Sequence, residues 1–396
     1  MTKNICFVTD FESIEASLNT HKYLLKKLSD NFDNVYLLDS NRFKFFKKRN
    51  IKKPKHKIKK KNIKEIKINN YKDLKFFFNK KNTVILNNIG RGLGDFKLLF
   101  FFRLIKIPQI QVLNTDVVSY ERTKEIKFFN IFNFIKFIFK KKIFQKLSVF
   151  FSIIGILSKI DICFTTKKYQ FNRINKNYFF KENFSYIKKS VLINSLAYDV
   201  FKRQIKNVKQ NHILYIDYNV NHEDTVELRG RLSKKDENYH YQKVITILKK
   251  LEKLYKKKVL VSIHPQYSLK NTRKNLPGFK INKFNTIELI KDAEVVVFFN
   301  STVINYAYLM NKKILNLSSD ILGENTKIET NIFPSRSGVV KVDINKEFNY
   351  SKKKLEKSFK SGQIKNRAFI NNYLKPDNKT IGLDKIVREI NKNFFY

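Results

Sequence analysis

The sequence predicts an α/β protein made of two parallel-sheet halves, and three observations carry that prediction. Short apolar runs alternate with stretches whose apolar residues recur at helical spacing, the rhythm of a parallel sheet with crossover helices. The alternation breaks around Leu196–Gln210 and restarts at Asn211, which marks a boundary between the halves. With 42% apolar and 14% aromatic residues but only 10 Gly and 6 Pro in 396, the chain is not disordered, collagenous or linker-dominated. Its length suits about two to three domains.

In the first half, strands are expected at Ile5–Thr9, Val35–Leu38, Val84–Asn87 and Ile110–Leu113, with a helix over Leu18–Leu28. Lys47–Lys64, dense in lysine with Pro54 and His56 inside, reads as an exposed loop or a ragged edge excursion. Phe128, Ile131, Phe132, Ile135, Ile138 and Phe139 recur at i, i+3, i+4 spacing ahead of Lys140–Lys142. Lys127–Leu157 is therefore expected to form one or two basic amphipathic helices, suited to an anionic membrane surface or to an interdomain pair. Strands at Asp161–Thr165 and Ser190–Ile193 close this half.

The second half is read as Rossmann-like. Strands are expected at His212–Asp217, Lys258–His264, Phe279–Phe284, Ala293–Phe299 and Lys313–Leu317. Helices are expected at Tyr239–Tyr255, Thr286–Lys291 and Thr302–Met310. In the tail, Ser351–Tyr373 and Ile381–Asn393 read as helices separated by Pro376 and Asn378.

Lys plus Arg total 81 against 34 Asp plus Glu, a formal charge of +47, which brings nucleic acid, anionic lipid and phosphorylated substrates into consideration. A coding bias toward AT-rich codons accounts for the same abundance of Lys, Asn, Ile and Phe. No zinc-finger, KH or RNP signature accompanies the charge, so nucleic acid is not the expected partner. Cys6 and Cys163 lie in apolar strand-like runs far apart, as buried thiols of a reducing compartment; no disulfide or metal site is expected. Met1–Lys3 leads straight into a strand rather than a secretory signal, and Leu147–Ser158 is shorter than the roughly 20 apolar residues of a spanning helix. A cytoplasmic protein, peripheral on the inner membrane, is expected.

Open parallel sheets bind ligands beyond the carboxyl ends of their strands. Three such ends in the second half are polar. Asn300-Ser301-Thr302 lies between an apolar strand and a helix, an arrangement suited to phosphate or to simple N-capping. His264-Pro265 directly follows a strand, where an imidazole can donate a hydrogen bond to a leaving phosphate. Asp217, followed by His222, Glu223 and Asp224, supplies carboxylates, one of which can take a proton from an acceptor hydroxyl; which one serves is left open. In the first half, Gly90-Arg91-Gly92-Leu93-Gly94-Asp95 matches a dinucleotide loop only loosely, and Thr9-Asp10 follows the first strand. No HExxH, CxxC, P-loop or nucleophile-elbow motif occurs.

His264-Pro265, then Ser301-Thr302, preceded by Glu223-Asp224, resemble the H-P, S-S/S-T and D/E-D/E-G motifs of GT-B glycosyltransferases, in particular the sialyltransferase-like enzymes of bacterial capsule and O-antigen biosynthesis. Thr225 stands where that pattern has glycine. The resemblance implies two Rossmann-like domains facing a cleft. Residues 1–200 would form the acceptor domain, 205–375 the nucleotide-sugar domain and 376–396 a C-terminal helix. It further implies a nucleotide-sugar donor used as substrate, no metal or other cofactor, and a glycan or lipid-linked acceptor. The donor phosphate would be held by His264, Pro265, Asn300, Ser301 and Thr302, with Glu223 or Asp224 as base and His264 assisting. CDP-glycerol-type polymerising transferases share the H-P and S/T logic, which leaves polyol-phosphate transfer as an alternative, beside epimerases of the same architecture and a non-catalytic nucleic-acid-binding protein.

Overall fold

A computed structural model describes residues 2–9, 21–43, 62–68, 70–79, 82–89, 95–113, 150–166, 186–204, 209–221, 231–264, 267–322, 337–377 and 380–395. They form two compact units.

The first unit is built on β1 (Asn4–Thr9), α1 (Lys22–Ser29), β2 (Asn34–Asp39), β3 (Ile63–Glu65), α2 (Tyr71–Asn79), β4 (Thr83–Asn87), α3 (Phe96–Leu104), β5 (Gln109–Leu113), β6 (Ile160–Thr165) and β7 (Ile187–Leu192). Its described strands form one parallel sheet in the order β3-β2-β1-β4-β5-β6-β7. β1 is buried along its whole length because helices cover both faces. Ile5 and Phe7 pack toward Leu24, Leu25 and Leu28 of α1, whereas Cys6 and Val8 pack toward α2 and α3. Burial raises the pKa of both free thiols, Cys6 and Cys163. The C-terminal helix, set apart in the sequence by Pro376, packs into this same core through Leu383, Ile386, Val387 and Ile390. Asn194 ties it down: its Nδ2 donates to the Thr380 carbonyl (2.7 Å) and its Oδ1 accepts from the Asp377 N–H (3.0 Å).

The second unit contains α4 (Leu196–Gln204, from Ala197 on), β8 (His212–Ile216), α5 (Lys234–Tyr255), β9 (Val259–Ile263), α6 (Leu269–Asn275), β10 (Lys280–Lys283), α7 (Thr286–Asp292), β11 (Ala293–Phe298), α8 (Ile304–Leu309), β12 (Lys313–Ser318), β13 (Val340–Asp343) and α9 (Lys352–Phe369). The last helix of the chain, in the first unit, is α10 (Gly382–Phe394). The second sheet is parallel in the order β10-β9-β8-β11-β12-β13. Ile213, Tyr215, Val295 and Val297 face α5 and α9; Leu214, Ile216, Val296 and Phe298 face α7 and α8. The Ser233 hydroxyl opens α5 by accepting from the Asp236 N–H (3.1 Å), and Lys256 closes it in the left-handed region at φ 54°.

Two contacts fix this unit below the functional edge. The buried Lys312 ammonium donates to the carbonyls of Lys209 (2.8 Å), Lys291 (2.6 Å) and Ala293 (2.5 Å), and burial holds its pKa down to about 8. Gly338 and Gly362 meet backbone to backbone: a β-carbon on Gly362 would lie 1.9 Å from the Gly338 carbonyl oxygen. Each is glycine because no side chain fits.

Several strands differ by a residue or two from the expected bounds, and five elements carried too weak a pattern to be expected. β3 and β13 are only three and four residues long. α6 is almost wholly polar, with Thr272 alone buried, while α2 and α4 are short. Most of Lys47–Lys64 and all of 127–149 lie outside the described residues; of the expected amphipathic segment, 150–153 is helical and 154–157 is a turn with short bends.

Candidate functional site

The second sheet reverses its strand order between β8 and β11: the chain runs from β8 out to β10, then returns to the other side of β8. Such a switch point leaves a crevice at the carboxyl edge, where helices on opposite faces diverge. Ile216 pairs with Ser262 of β9 on one side and with Phe298 of β11 on the other. Tyr218, His264 and Asn300 each follow the last of these paired residues by two positions. The H-P histidine and the Asn300-Ser301-Thr302 turn thus follow β9 and β11, the two strands that flank β8. In chain order they are separated by two strand steps, from β9 through β10 to β11.

His264 is exposed, and its turn is closed by the Tyr267 N–H donating to its carbonyl (2.9 Å), with the two rings 5.4 Å apart. Pro265 lies outside the described residues. Asn300 and Ser301 are half-buried and Thr302 is exposed. The helix after them corrects the sequence picture: α8 begins at Ile304 and has six residues, its cap position is Val303, and no side chain caps it. Ser301 and Thr302 sit in the preceding turn, where their carbonyls accept from Ile304 and Asn305 (3.4 and 3.3 Å). Hydroxyls in a turn, rather than a helix end, are the groups available to a phosphate. Asn316 of β12 holds this edge in place by donating to the carbonyls of Phe298 (3.3 Å) and Phe299 (2.8 Å).

Beneath the switch point lies a buried polar cluster that carries no motif. Asp217 continues β8, with its N–H donating to the Ser262 carbonyl (2.9 Å). Its carboxylate is buried and neither oxygen has a well-formed hydrogen bond. Loss of hydration pushes its pKa up to about 7, only partly offset by the nearby Tyr215 hydroxyl and Tyr218 N–H. Tyr215 and Tyr241 are raised by burial first and by this carboxylate second, so both keep their protons. His240 of α5 is buried against Phe299 (ring centroids 5.0 Å), which also meets Tyr218 (6.2 Å). A carboxyl that exchanges its proton near neutrality at a switch point has the property required of a proton-handling group.

Glu223 and Asp224, the expected bases, lie outside the described residues, as do His222 and Thr225. The residues flanking them are described: Asn221 Oδ1 accepts from the Leu232 N–H (2.9 Å).

The first sheet has its own switch point, between β1 and β4. There Asn88 Nδ2 lies 3.4 Å from Thr9 Oγ1 and 3.3 Å from His21 Nε2, while the His21 ring stands edge-on to Phe7 (5.1 Å). Asn87 donates to Gln109 (2.9 Å) and accepts from the Ile89 N–H (3.1 Å). Burial lowers the His21 pKa, which favours the neutral imidazole. His21 is absent from the sequence motifs: it stands at the cap position of α1, twelve residues beyond the end of β1, where no strand-end signal marks it. Of Gly90–Asp95 only Asp95 is described.

No family model and no curated protein sequence matches the chain. Solved structures do match. UDP-GlcNAc 2-epimerase of Methanocaldococcus jannaschii, in complex with UDP-GlcNAc and UDP, is 15% identical over 99% of this chain and 100% of its own, with a TM-score of 0.50. A Listeria monocytogenes protein described as a UDP-N-acetylglucosamine 2-epimerase is 11% identical over 100% of this chain and 97% of its own, at 0.52. The wall teichoic acid polymerase TagF is 12% identical over 99% of this chain and 89% of its own, again at 0.52. The fold is GT-B. At these identities the likeness concerns the fold of the two Rossmann-like units, and the matched structures are enzymes. Among the described residues no group of three or more His, Cys, Asp or Glu is placed to hold a metal ion, and no helix is long and apolar enough to cross a membrane.

Proposed function

We propose that the protein is a GT-B transferase that moves a sugar from a nucleotide-activated donor, with a CMP-linked sugar as one candidate, to a glycan or lipid-linked acceptor of a bacterial surface polysaccharide. The observation that carries this reading is the switch point of the second sheet, where β9, followed by His264, and β11, followed by Asn300-Ser301-Thr302, pair with β8 on its two sides. Support comes from the shared fold with an epimerase whose structure holds UDP-GlcNAc and UDP.

In this reading Ser301, Thr302 and Asn300 donate hydrogen bonds to the donor phosphate. His264 donates to the leaving oxygen, which gains an electron pair as the bond to the anomeric carbon breaks. The acceptor hydroxyl oxygen forms the new bond to that carbon, and its proton passes to a base, Glu223 or Asp224. No resident metal takes part. The protein acts in the cytoplasm, against the anionic inner-membrane surface where a lipid-linked acceptor would sit.

Incubation with CMP-, UDP- and GDP-sugars and with CDP-glycerol, with product analysis, tests this reading. Sugar transfer that releases the nucleotide, and is abolished by His264→Asn in a folded variant, is the expected result. If the donor's phosphorus travels with the transferred group, the reaction is polyol-phosphate transfer, in which a P–O bond breaks. Recovery of an epimerised nucleotide sugar without transfer, or full activity in His264→Asn, would overturn the assignment.

A further inference from the structure

On the first unit, apolar side chains stand in solvent. Phe100 and Leu104 of α3 are 41% and 63% exposed, and Phe150, Ile154 and Ile156 are 51%, 52% and 40% exposed. The two segments are held together. Phe96 and Phe151 pack edge to face at 5.7 Å, the Arg103 Nε donates to the Gly155 carbonyl (2.9 Å), and the Ser158 N–H donates to the Leu99 carbonyl (3.3 Å). Gly155, at φ 85°, lets the chain reverse so that Ile154 and Ile156 point outward while Leu157 returns to the core.

The same segments decide what such a patch fits. Residues 96–106 and 150–159 carry Lys97, Arg103, Lys106 and Lys159 and no acidic residue. A protein partner's apolar surface would be matched by the side chains alone; bulky exposed apolar groups on segments whose only charges are cationic match an anionic phospholipid surface, where the apolar groups enter the acyl boundary and the cations stay at the phosphates.

We propose that Phe100, Leu104, Phe150, Ile154 and Ile156 form the patch by which the protein docks on an anionic membrane, with Lys97 and Lys106 among the cations of these segments. This deepens the membrane location in the proposed function and rests on that part of it, but it does not depend on which donor is used.

Sedimentation of the full chain with phosphatidylcholine vesicles, with and without phosphatidylglycerol, tests it. Strong binding to the anionic vesicles, weak binding to the neutral ones and loss of binding at high salt are expected. A variant carrying Phe100→Ser, Leu104→Ser and Ile154→Ser should bind at least tenfold more weakly, yet melt normally and bind nucleotide as the parent does. Lys97→Gln with Lys106→Gln should weaken only the anionic binding. Equal binding to both vesicle types, or undiminished binding by the triple serine variant, would overturn the proposal. So would a parent dimer that the triple variant converts to monomer, which would make the patch a contact between copies of the chain.

Discussion

Asp217→Asn should make the protein more stable at alkaline pH, although the substitution touches the centre of the candidate site. The wild-type carboxyl titrates near pH 7 in the fold against 3.8 in its absence. A carboxyl whose pKa is raised by folding is neutral in the native state at pH values where the unfolded chain is already ionised. Its cost to stability is therefore nil below about pH 4, grows as pH rises, and levels off above about pH 7. A shift from 3.8 to about 7 corresponds to about 4 kcal/mol at the plateau, taken as an order of magnitude. Asparagine reproduces the shape of the protonated carboxyl and never ionises. Urea unfolding at intervals from pH 3 to 8.5 should give nearly coincident curves for the two proteins at the acid end and a gap that widens to several kcal/mol at the alkaline end. A constant offset across that range, or a variant less stable at pH 8, would refute the claim that loss of hydration governs this carboxyl.

Three further outcomes follow from packing. Gly362→Ala drives a methyl into the Gly338 carbonyl and should cost about 3 kcal/mol, read as a fall in thermal midpoint; a neutral result would mean that α9 and the chain before β13 do not touch. Lys312→Met strips the donor from three buried carbonyls and should cost at least about 2 kcal/mol by denaturant titration, with nucleotide binding unchanged. Asn194→Ala releases both anchors of the C-terminal helix, and amide exchange in α10 should quicken roughly tenfold while exchange in the second unit stays as it was.

Much of the fold is written in the local sequence because parallel strands covered on both faces read as unbroken apolar runs. Val295-Val296-Val297-Phe298 and Ile213-Leu214-Tyr215-Ile216 are examples, and α5 announces itself through Val244, Ile247, Leu248 and Leu251. Edge elements were hidden: β13 alternates Val340 and Val342 with Lys341 and Asp343 over four residues, too short for a periodic signal. Strand order was hidden too, since pairing β8 with both β9 and β11 depends on contacts distant in sequence. For that reason the sequence identified His264 and Ser301-Thr302 as strand-end groups but gave no sign that β8 lies between them. Asp217 was visible as a carboxylate, whereas its proton affinity comes from burial under Tyr215 and Tyr241. The place of α10 in the first unit follows from Asn194 reaching residues 377 and 380, nearly two hundred positions away.

Nucleotide binding at the second switch point is the claim on which the functional account rests, and thermal denaturation against CMP, CDP, UDP, GDP and a short RNA measures it directly. A ligand present at a hundred times its dissociation constant adds about 2.7 kcal/mol. One nucleotide should raise the melting temperature of the parent protein, and the rise should disappear in His264→Asn and Ser301→Ala variants whose unliganded melting is unchanged. Stabilisation by RNA alone, or a nucleotide effect that survives both substitutions, would contradict that claim.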